Sequence, residues 1–573
     1  MKKNVKQTNP IILDGFALTI SDVIRIATKS NNGNYAQVIP AKSALRAVQA
    51  CAEFIRKKAE SGEVIYGVTT GFGSRADTAI EIDHAKELQE NLLRSHATGV
   101  GEPLPVTVVR AMMVIRLNTL LQGHSGVQVK TVELLRDLLN NEIHPVVPSQ
   151  GSVGASGDLC PLSHLALPLI GEGEVTIGDD MTIFPARIGL KRKKLQPIQL
   201  SYKEGIALNN GTALMTALGA LAVHETKQLL QLATLSSALI FEALCARSDS
   251  YAYEPIHSVR KHDGQIHIAK WLRTLLQGSS HIDIQQSDIL ACITEHNKSE
   301  SPWKDMQKFA EKKFKPQDAY SIRCVPQVFG AAYAALKHVE ETVSNELNAA
   351  VDNPLIFLKG LHGVAWDRVV SGGNFHGEPI GMPLDYLKLA VAEIGSIVER
   401  QINKLVDSNT NDGLPSFLVN GSGLNSGLMI AQYVAASLVS ENKVLVHPAT
   451  ADSIPTCENT EDHVSMGPIA GRQALEIIEN VKKVVAIAIL TGYQGVAMRK
   501  EQFSKCNIRL GKKKTPPRLA PATAKFYHEI EGCLGKSKHG KDWLSKDRYL
   551  SPEIGEILRA FPRFYEFVGK YLG

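Results

Sequence analysis

The chain has 573 residues, of which 44% are hydrophobic and 21% charged, and its formal net charge at pH 7 is +5. This is the composition of a globular protein, and so small a net charge excludes a general attraction to nucleic acid. The chain also lacks an apolar run that could span a bilayer, a signal-like start and any CxxC cysteine pair, which predicts a cytoplasmic protein with reduced thiols and no membrane partner.

Helical periodicity dominates the chain. Residues 41–60 repeat apolar positions every three or four residues and end at a Ser-Gly pair, which is typical of a helix stop. Three further ranges predict long helices within a bundle: 212–247, 382–406 and 466–498. Strand-like runs are short and lie near the start and at 174–188. The sequence therefore predicts a mainly α protein with small β decorations in its N-terminal part.

Composition changes at 509–526, where basic residues and prolines interrupt the helical pattern. This change indicates a linker into a C-terminal appendage, and the basic triplet at 512–514 is typical of a solvated loop. We predict three domains: an N-terminal domain at 1–210, a central helical bundle at 211–500 and a C-terminal helical appendage at 501–573.

The stretch GSVGASGDLC places Ala155, Ser156 and Gly157 among glycines, directly before Asp158. It is not a nucleophile elbow, because Asp158 occupies a position where that motif has glycine. It is not a P-loop either, because no Gly-Lys-Ser/Thr follows. Taken alone, the stretch predicts a tight turn ahead of a helix.

Three other polar or glycine-rich motifs interrupt the first half of the helical pattern. YGVTTGFGS is typical of a loop, in which Tyr66 is either structural or a proton acceptor. LLRSHATGVGEPL contains His96, either a hydrogen-bonded structural histidine or a functional one. LNNGTALMT places Asn210 at the start of the long apolar range, where helix capping is the alternative to a site role.

Three more motifs follow in the second half. FKPQDAYSIRCVPQ carries Gln317, Tyr320 and Arg323 at spacings of three, which predicts one shared helix face. The arginine there makes either a surface ion pair or a bidentate clamp for a carboxylate. SGGNFHGEP exposes Phe375 on a loop, and TCENTEDHVSMG carries Glu461 in a carboxylate–histidine cluster. No metal-ligand spacing accompanies that cluster, so we predict no metal.

In order and combination, the motifs GSVGASGDLCPLSH, YGVTTGFG, NNGT, QDAYSIRC, GGNFHGEP and EDHVSMG closely resemble the aromatic amino acid lyases. These are the histidine, phenylalanine and tyrosine ammonia-lyases and related aminomutases. The resemblance implies a long-helix bundle of the fumarase/aspartase-like ammonia-lyase type, a small amino acid substrate and a homotetramer whose active sites are built from three chains. The alternative is a catalytically inactive scaffold, which the retained Ala-Ser-Gly segment, Tyr66 and Arg323 disfavour.

In this family an Ala-Ser-Gly segment cyclises into the prosthetic group 4-methylidene-imidazole-5-one (MIO). The resemblance implies that Ala155, Ser156 and Gly157 form it, within the domain at 1–210. The Gly157 amide nitrogen would attack the Ala155 carbonyl with loss of one water, and Ser156 would lose its hydroxyl as a second. The product is an electrophile, which the reaction requires because ammonium is a poor leaving group.

The other motif residues take roles by the same resemblance. Tyr66 is implied as the general base, which requires surroundings that lower its phenolic pKa from about 10. Arg323 is implied as the clamp for the substrate carboxylate, and Asp158 orients the prosthetic segment. The residues implied to surround the substrate are Asn210, Gln317, Tyr320 and Phe375. Of these, Tyr320 is also implied to be catalytic.

The sequence around Glu461 is most similar to the histidine lyases. Glu461 would accept a hydrogen bond from an imidazole N–H, whereas a carboxylate that faces a phenyl ring is desolvated without a partner. His96 would hold the other imidazole nitrogen. We therefore predict elimination of ammonia from L-histidine to trans-urocanate. Departures from the histidine-lyase pattern, among them Thr460 and Ala319, keep tyrosine or phenylalanine elimination as the second alternative and a 2,3-aminomutase as the third.

Overall fold

The structure is a computed structural model that describes residues 9–30, 32–284, 316–421, 423–505, 515–535 and 543–573. Within these ranges the α-helices are α1 Ile20–Ala27, α2 Lys42–Glu60, α3 Ala85–His96, α4 Val106–Leu121, α5 Val129–Asn140, α6 Leu159–Ala166, α7 Ala186–Arg192, α8 Glu204–Asn209, α9 Ala213–Ala243, α10 Asp249–Ala252, α11 Pro255–Ser258, α12 Asp263–Leu276, α13 Tyr320–Arg323, α14 Val325–Glu346, α15 Lys359–His362, α16 Glu378–Val406, α17 Met429–Leu445, α18 Gly467–Lys505, α19 Pro521–Leu534, α20 Ser551–Arg559 and α21 Phe561–Leu572. The predicted long helices are confirmed as α2, α9, α16 and α18.

The strands are short and form four small sheets. They are β1 Ile11–Leu13, β2 Val38–Pro40, β3 Val100–Pro103, β4 Ile143–Pro145, β5 Pro148–Gln150, β6 Glu174–Ile177, β7 Asp180–Pro185, β8 Leu355–Phe357 and β9 Arg368–Val370. β1 pairs in parallel with β2, whereas β3–β5, β4–β6–β7 and β8–β9 are antiparallel. Seven of these strands lie in the N-terminal part, as predicted, and the β8–β9 pair is an addition that the sequence analysis did not find.

The chain divides into two compact units. The first comprises Met1–His224, His338–Tyr386 and Pro448–Leu475, and the second comprises Glu225–Lys337, Leu387–His447 and Glu476–Gly573. Both units are discontinuous in sequence, because α9, α14, α16 and α18 each contribute residues to both. The three consecutive domains stay a prediction. The basic triplet at 512–514 lies outside the described residues.

Helix α4 is central to the core of the first unit. Every residue from Val108 to Leu121 is buried, which is the pattern of a helix surrounded by other elements on all sides. Two of these residues are arginines, Arg110 and Arg116, and both are fully buried. Arg110 donates hydrogen bonds to the carbonyls of Ile26 and Leu139. None of the described helices combines the length and apolarity needed to cross a membrane.

Candidate active site

The Ala-Ser-Gly segment forms a turn directly ahead of α6. Gly157 has a φ of +75°, and a Cβ there would overlap the backbone of Gly211. The two segments of the chain, around Gly157 and around Gly211, are joined by two backbone hydrogen bonds. Asp158 N donates to Gly211 O at 2.7 Å, and Gly211 N donates to Ser156 O at 3.2 Å. Glycine at position 157 is thus needed for the close approach of the two backbones, whereas a Cβ at Gly211 would overlap the Val351 carbonyl oxygen.

Asp158 anchors this turn to the first turn of α9. Its Oδ2 accepts hydrogen bonds from the backbone N–H groups of Leu214 and Met215, at 2.7 and 3.1 Å. The side chain is fully buried, and burial raises the pKa of Asp158 to about 7, against the opposing effects of these N–H groups and of Arg116. The start of a helix favours negative charge, so these hydrogen bonds tie the turn to α9; the orienting role of Asp158 stays a prediction.

Arg116 supports the other side of the turn. Its guanidinium donates to the carbonyl oxygens of Ala207 and, at 2.8 Å, of Asn210, the residues that lead into Gly211. Burial lowers the pKa of Arg116 to about 10. Several buried polar atoms beside the turn lack a hydrogen-bond partner: Arg116 Nε and Nη1, Asp158 Oδ1 and Asn210 Oδ1. Buried polar atoms of this kind are suited to bind a polar group at the turn.

Ser156 faces Glu461. Its Oγ donates a hydrogen bond to Glu461 Oε1 at 2.9 Å. The other carboxylate oxygen, Oε2, accepts a hydrogen bond from the hydroxyl of Thr456 at 2.7 Å. Thr456 and Glu461 also exchange backbone hydrogen bonds, of 3.0 and 3.3 Å, so they close a short loop.

Tyr66 lies within electrostatic reach of Glu461. The Tyr66 hydroxyl accepts a hydrogen bond from Gly73 N at 3.0 Å, and Cys457 Sγ accepts one from the following residue, Ser74 N, at 3.4 Å. Burial raises the pKa of Tyr66, with smaller contributions from Cys457 and Glu461 in the same direction. The expectation that the surroundings lower this pKa is therefore wrong for the described chain, although the N–H of Gly73 opposes the increase.

His96 is the last residue of α3. Its Nδ1 is hydrogen-bonded to the hydroxyl of Ser95 at 3.0 Å. Burial lowers the pKa of His96, and the charge of Glu461 opposes this effect. His96 is therefore neutral at pH 7, so one ring nitrogen is a donor and the other an acceptor. The fold thus brings His96, Tyr66 and Ser156 together around Glu461, although they are widely separated in sequence.

Two further residues named by the sequence analysis belong to the same unit. Phe375 is partly exposed on the loop before α16, and the next residue, His376, has its Nε2 3.3 Å from the carbonyl oxygen of His463. Asn210 is buried and follows the last residue of α8. Its side-chain oxygen has no partner, so it does not act through that oxygen as a helix cap.

Gln317, Tyr320 and Arg323 belong to the second unit. The Arg323 guanidinium stacks over the ring of Tyr320 at 4.6 Å, and its Nε donates to the carbonyl of Asp318 at 3.0 Å. Tyr320 as a whole residue is 72% exposed. Gln317 precedes α13, so the predicted common helix face is wrong for Gln317 and holds only for Tyr320 and Arg323.

The sequence analysis missed three residues of this site. Arg116 could have been noticed as a charge within the apolar run VVRAMMVIRLNTLL, but nothing in that run indicates its partners. Thr456 and Cys457 stand just before the Glu461 motif, and no sequence signal indicates their contacts. Among the described residues, no three His, Cys, Asp or Glu side chains are grouped as metal ligands.

The long helices and an Ala-Ser-Gly turn that faces a carboxylate are the features that the resemblance to the lyases led us to expect. A sequence model of a family described as aromatic amino acid lyase matches residues 18–531. The chain belongs to the aromatic amino acid lyase family, and the family together with relatives named histidine ammonia-lyase indicates a carbon–nitrogen lyase. The resemblance drawn from the motifs is thereby confirmed.

Individual relatives match over nearly the full length. Histidine ammonia-lyase of Bacillus cytotoxicus is 42% identical over 547 residues, which cover 96% of this chain and 96% of that protein. The same enzyme of Geobacillus thermodenitrificans is 44% identical over 520 residues, or 91% of this chain and 92% of that one. The structure of histidine ammonia-lyase from Trypanosoma cruzi matches with a TM-score of 0.81 at 35% identity, covering 98% and 95% of the two chains. Tyrosine aminomutase from Streptomyces globisporus matches with a TM-score of 0.83 at 33% identity, covering 98% and 99%. The predicted fold class is confirmed.

Proposed function

We propose that this protein eliminates ammonia from L-histidine to give trans-urocanate. The observation that carries the proposal is the Glu461 carboxylate, which contacts Ser156 and acts electrostatically on both His96 and Tyr66. A carboxylate in this position is suited to a substrate side chain that donates a hydrogen bond, as imidazole does. The names of the relatives at 41–44% identity support this choice.

We further propose that Ala155, Ser156 and Gly157 condense into MIO. Two observations fit this group: the left-handed backbone of Gly157, which bends the turn, and the buried Asp158 Oδ1, which lacks a partner beside it. Condensation releases two waters, one as the Gly157 nitrogen bonds to the Ala155 carbonyl carbon and one from the Ser156 hydroxyl. The group, held by the turn and by Asp158, would supply an electrophile that no ordinary side chain provides.

Tyr66 acts in this proposal as the base for the β-proton. A base must be deprotonated before it accepts a proton, and the raised pKa of Tyr66 makes its phenolate scarce at neutral pH but strongly basic once formed. The N–H of Gly73 stabilises that phenolate. His96, which is neutral, provides a second hydrogen-bonding group for the imidazole ring.

The resemblance supplies the remaining roles. Arg323 has the fork of donors that binds a carboxylate in two places, and Tyr320 accompanies it through their ring contact. We propose that these residues belong to the substrate-binding shell: Asn210, Gln317, Tyr320, Arg323 and Phe375.

We propose that the chain works as a homotetramer in the cytoplasm, with active sites built from three chains. Helix α17 supports assembly, because several of its apolar side chains are exposed: Ile430 by 53%, Tyr433 by 58% and Val444 by 74%. Exposed apolar patches of this kind mark protein interfaces, and we assign this one to a second copy of the chain. The cysteines in the described part of the chain form no disulfides, which fits a reducing compartment.

A second candidate function is supported by one comparison. The tyrosine aminomutase structure matches this chain as well as the histidine ammonia-lyase structure does. The shared fold and prosthetic segment are therefore compatible with tyrosine or phenylalanine elimination and with a 2,3-aminomutase. These candidate functions differ in the substrate side chain that Glu461 would face, which is an imidazole in histidine and an aromatic ring without an N–H in tyrosine or phenylalanine.

Intact mass spectrometry together with a turnover assay tests the proposal. The purified protein should be two water molecules lighter than its sequence and should form urocanate from L-histidine. Ser156→Ala should lose the mass deficit and most turnover. Ser163→Ala should keep both, because the Ser163 hydroxyl bonds Leu159 O and the side chain of Asn209 and contacts neither the Ala-Ser-Gly segment nor Glu461. Full turnover by Ser156→Ala would refute the proposed chemistry.

A further inference from the structure

The loop that carries Glu461 is closed by Thr456. Thr456 N donates to Glu461 O at 3.0 Å, and Glu461 N donates to Thr456 O at 3.3 Å. The two side chains are joined as well, by the hydrogen bond of 2.7 Å from the Thr456 hydroxyl to Glu461 Oε2. Both residues are partly exposed, so this bond does not depend on packing in the core.

The two oxygens of the Glu461 carboxylate therefore have different partners. Oε2 is held by Thr456, and Oε1 accepts the hydroxyl of Ser156 at 2.9 Å. This arrangement belongs to the chain before condensation, because the proposed formation of the prosthetic group removes the Ser156 hydroxyl as water. After that loss Oε1 is released, while Oε2 keeps its bond to Thr456.

We propose that Thr456 is a specificity-determining positioning residue, whose hydroxyl holds Glu461 Oε2 so that Oε1, which loses the Ser156 hydroxyl on condensation, accepts the substrate imidazole N–H. The inference rests on the proposed function, since it requires a substrate with a ring N–H.

The physical reason is the freedom of a glutamate side chain. Its terminal torsion has broad, roughly two-fold preferences, so a carboxylate held at neither oxygen turns easily. A hydrogen bond to one oxygen fixes the plane of the group and therefore the direction of the second oxygen. Since hydrogen bonds to charged groups are stronger than neutral ones, loss of the Thr456 hydroxyl weakens recognition of imidazole specifically.

The chain offers a matched control in the same loop. Thr460 is exposed, and its backbone N–H donates to the Cys457 carbonyl at 3.0 Å. Thr456→Val and Thr460→Val thus make the same chemical change four positions apart, but only the first removes a hydroxyl bonded to Glu461. Thr456→Ser restores that hydroxyl.

The experiment compares the KM for L-histidine with the inhibition constant of L-phenylalanine, which has no ring N–H. Thr456→Val should raise the KM by about 10-fold and leave the inhibition constant for L-phenylalanine, kcat and the mass deficit of two waters nearly unchanged. Thr456→Ser should return the KM to the parent value, and Thr460→Val should match the parent protein.

Each other result decides against the inference. An unchanged KM in Thr456→Val would show that the hydroxyl does not aim the carboxylate. Equal rises in the KM and in the inhibition constant, loss of the mass deficit or loss of the fold would show a structural role instead. If the parent protein used tyrosine but not histidine, the proposed function itself would fail. If it used histidine and Thr456→Val behaved like the parent, this inference alone would fail.

Discussion

Replacing Arg116 with Met should prevent formation of the prosthetic group, and the same replacement at Arg110 should not. Both arginines lie on α4, both are fully buried, and each donates to two backbone carbonyls. They differ in what they support. Arg116 holds the residues that lead into Gly211 and opposes the rise in the pKa of Asp158, whereas the carbonyl partners of Arg110 belong to Ile26 and Leu139.

The magnitudes follow from these contacts. A buried carbonyl left without a donor costs about 1–3 kcal/mol. Since each replacement leaves two such carbonyls, it should lower the free energy of unfolding by about 2–6 kcal/mol. Arg116→Met has a second effect, because it removes the cation that favours the Asp158 carboxylate. A neutral Asp158 accepts weaker hydrogen bonds from Leu214 and Met215, and the turn loses its anchor.

The assay is the intact mass of freshly purified protein, with the free energy of unfolding measured in urea. Both variants should be destabilised to a similar extent, which removes stability as an explanation. The mass deficit of two waters should be complete in Arg110→Met and largely absent from Arg116→Met. Equal deficits in the two variants would refute the role given to Arg116.

Three further predictions concern other parts of the site and the core. The unfolding free energy of the parent protein should fall as pH rises from about 4.5 to about 7, because burial raises the pKa values of Glu242 and Asp158 to about 7 and their charged forms are penalised only in the folded state. Glu242→Gln should make this decrease smaller by about 2–3 kcal/mol, measured as the difference between urea unfolding at the two ends of the pH range, and a decrease equal to that of the parent protein would contradict the account. The value of kcat/KM should increase with pH through the neutral range, because Tyr66 must be a phenolate and its pKa is raised. Glu461→Gln should shift this rising part of the pH profile to lower pH, because the charge of Glu461 contributes to the raised pKa. A flat profile would contradict the role of Tyr66. Gly73→Ala should lower kcat by up to about 100-fold, since the added Cβ would overlap Cys457 Sγ and displace the N–H that holds Tyr66. Adding Cys457→Ala to this variant should restore part of the lost activity. No recovery in the double variant would contradict this steric account.

The helices could be predicted from the sequence because their signal is local. The apolar, proline-free range 212–247 became α9, Ala213–Ala243, and 466–498 became the core of α18, Gly467–Lys505. In contrast, no local sequence pattern predicted the β8–β9 pair, because each of its strands has only three residues. Strands this short carry too few alternating positions to be recognised.

The site could be predicted only through the resemblance of its motifs. Spacing alone does not show that Tyr66, Ser156 and Glu461 meet, because about four hundred residues separate the first from the last and the contacts arise from the fold. The same reason explains why Thr456 was missed: its hydrogen bond to Glu461 depends on the closed loop between them. The direction of the Tyr66 pKa shift was wrong, since burial is a property of the folded chain.

The central claim is that the carboxylate of Glu461 selects histidine. The most direct test is an ultraviolet assay of the purified protein with L-histidine, L-tyrosine and L-phenylalanine in parallel, because each conjugated product absorbs differently from its parent amino acid. We expect rapid formation of urocanate from L-histidine, and little or no product from the other two. Turnover of tyrosine or phenylalanine without turnover of histidine would contradict the claim.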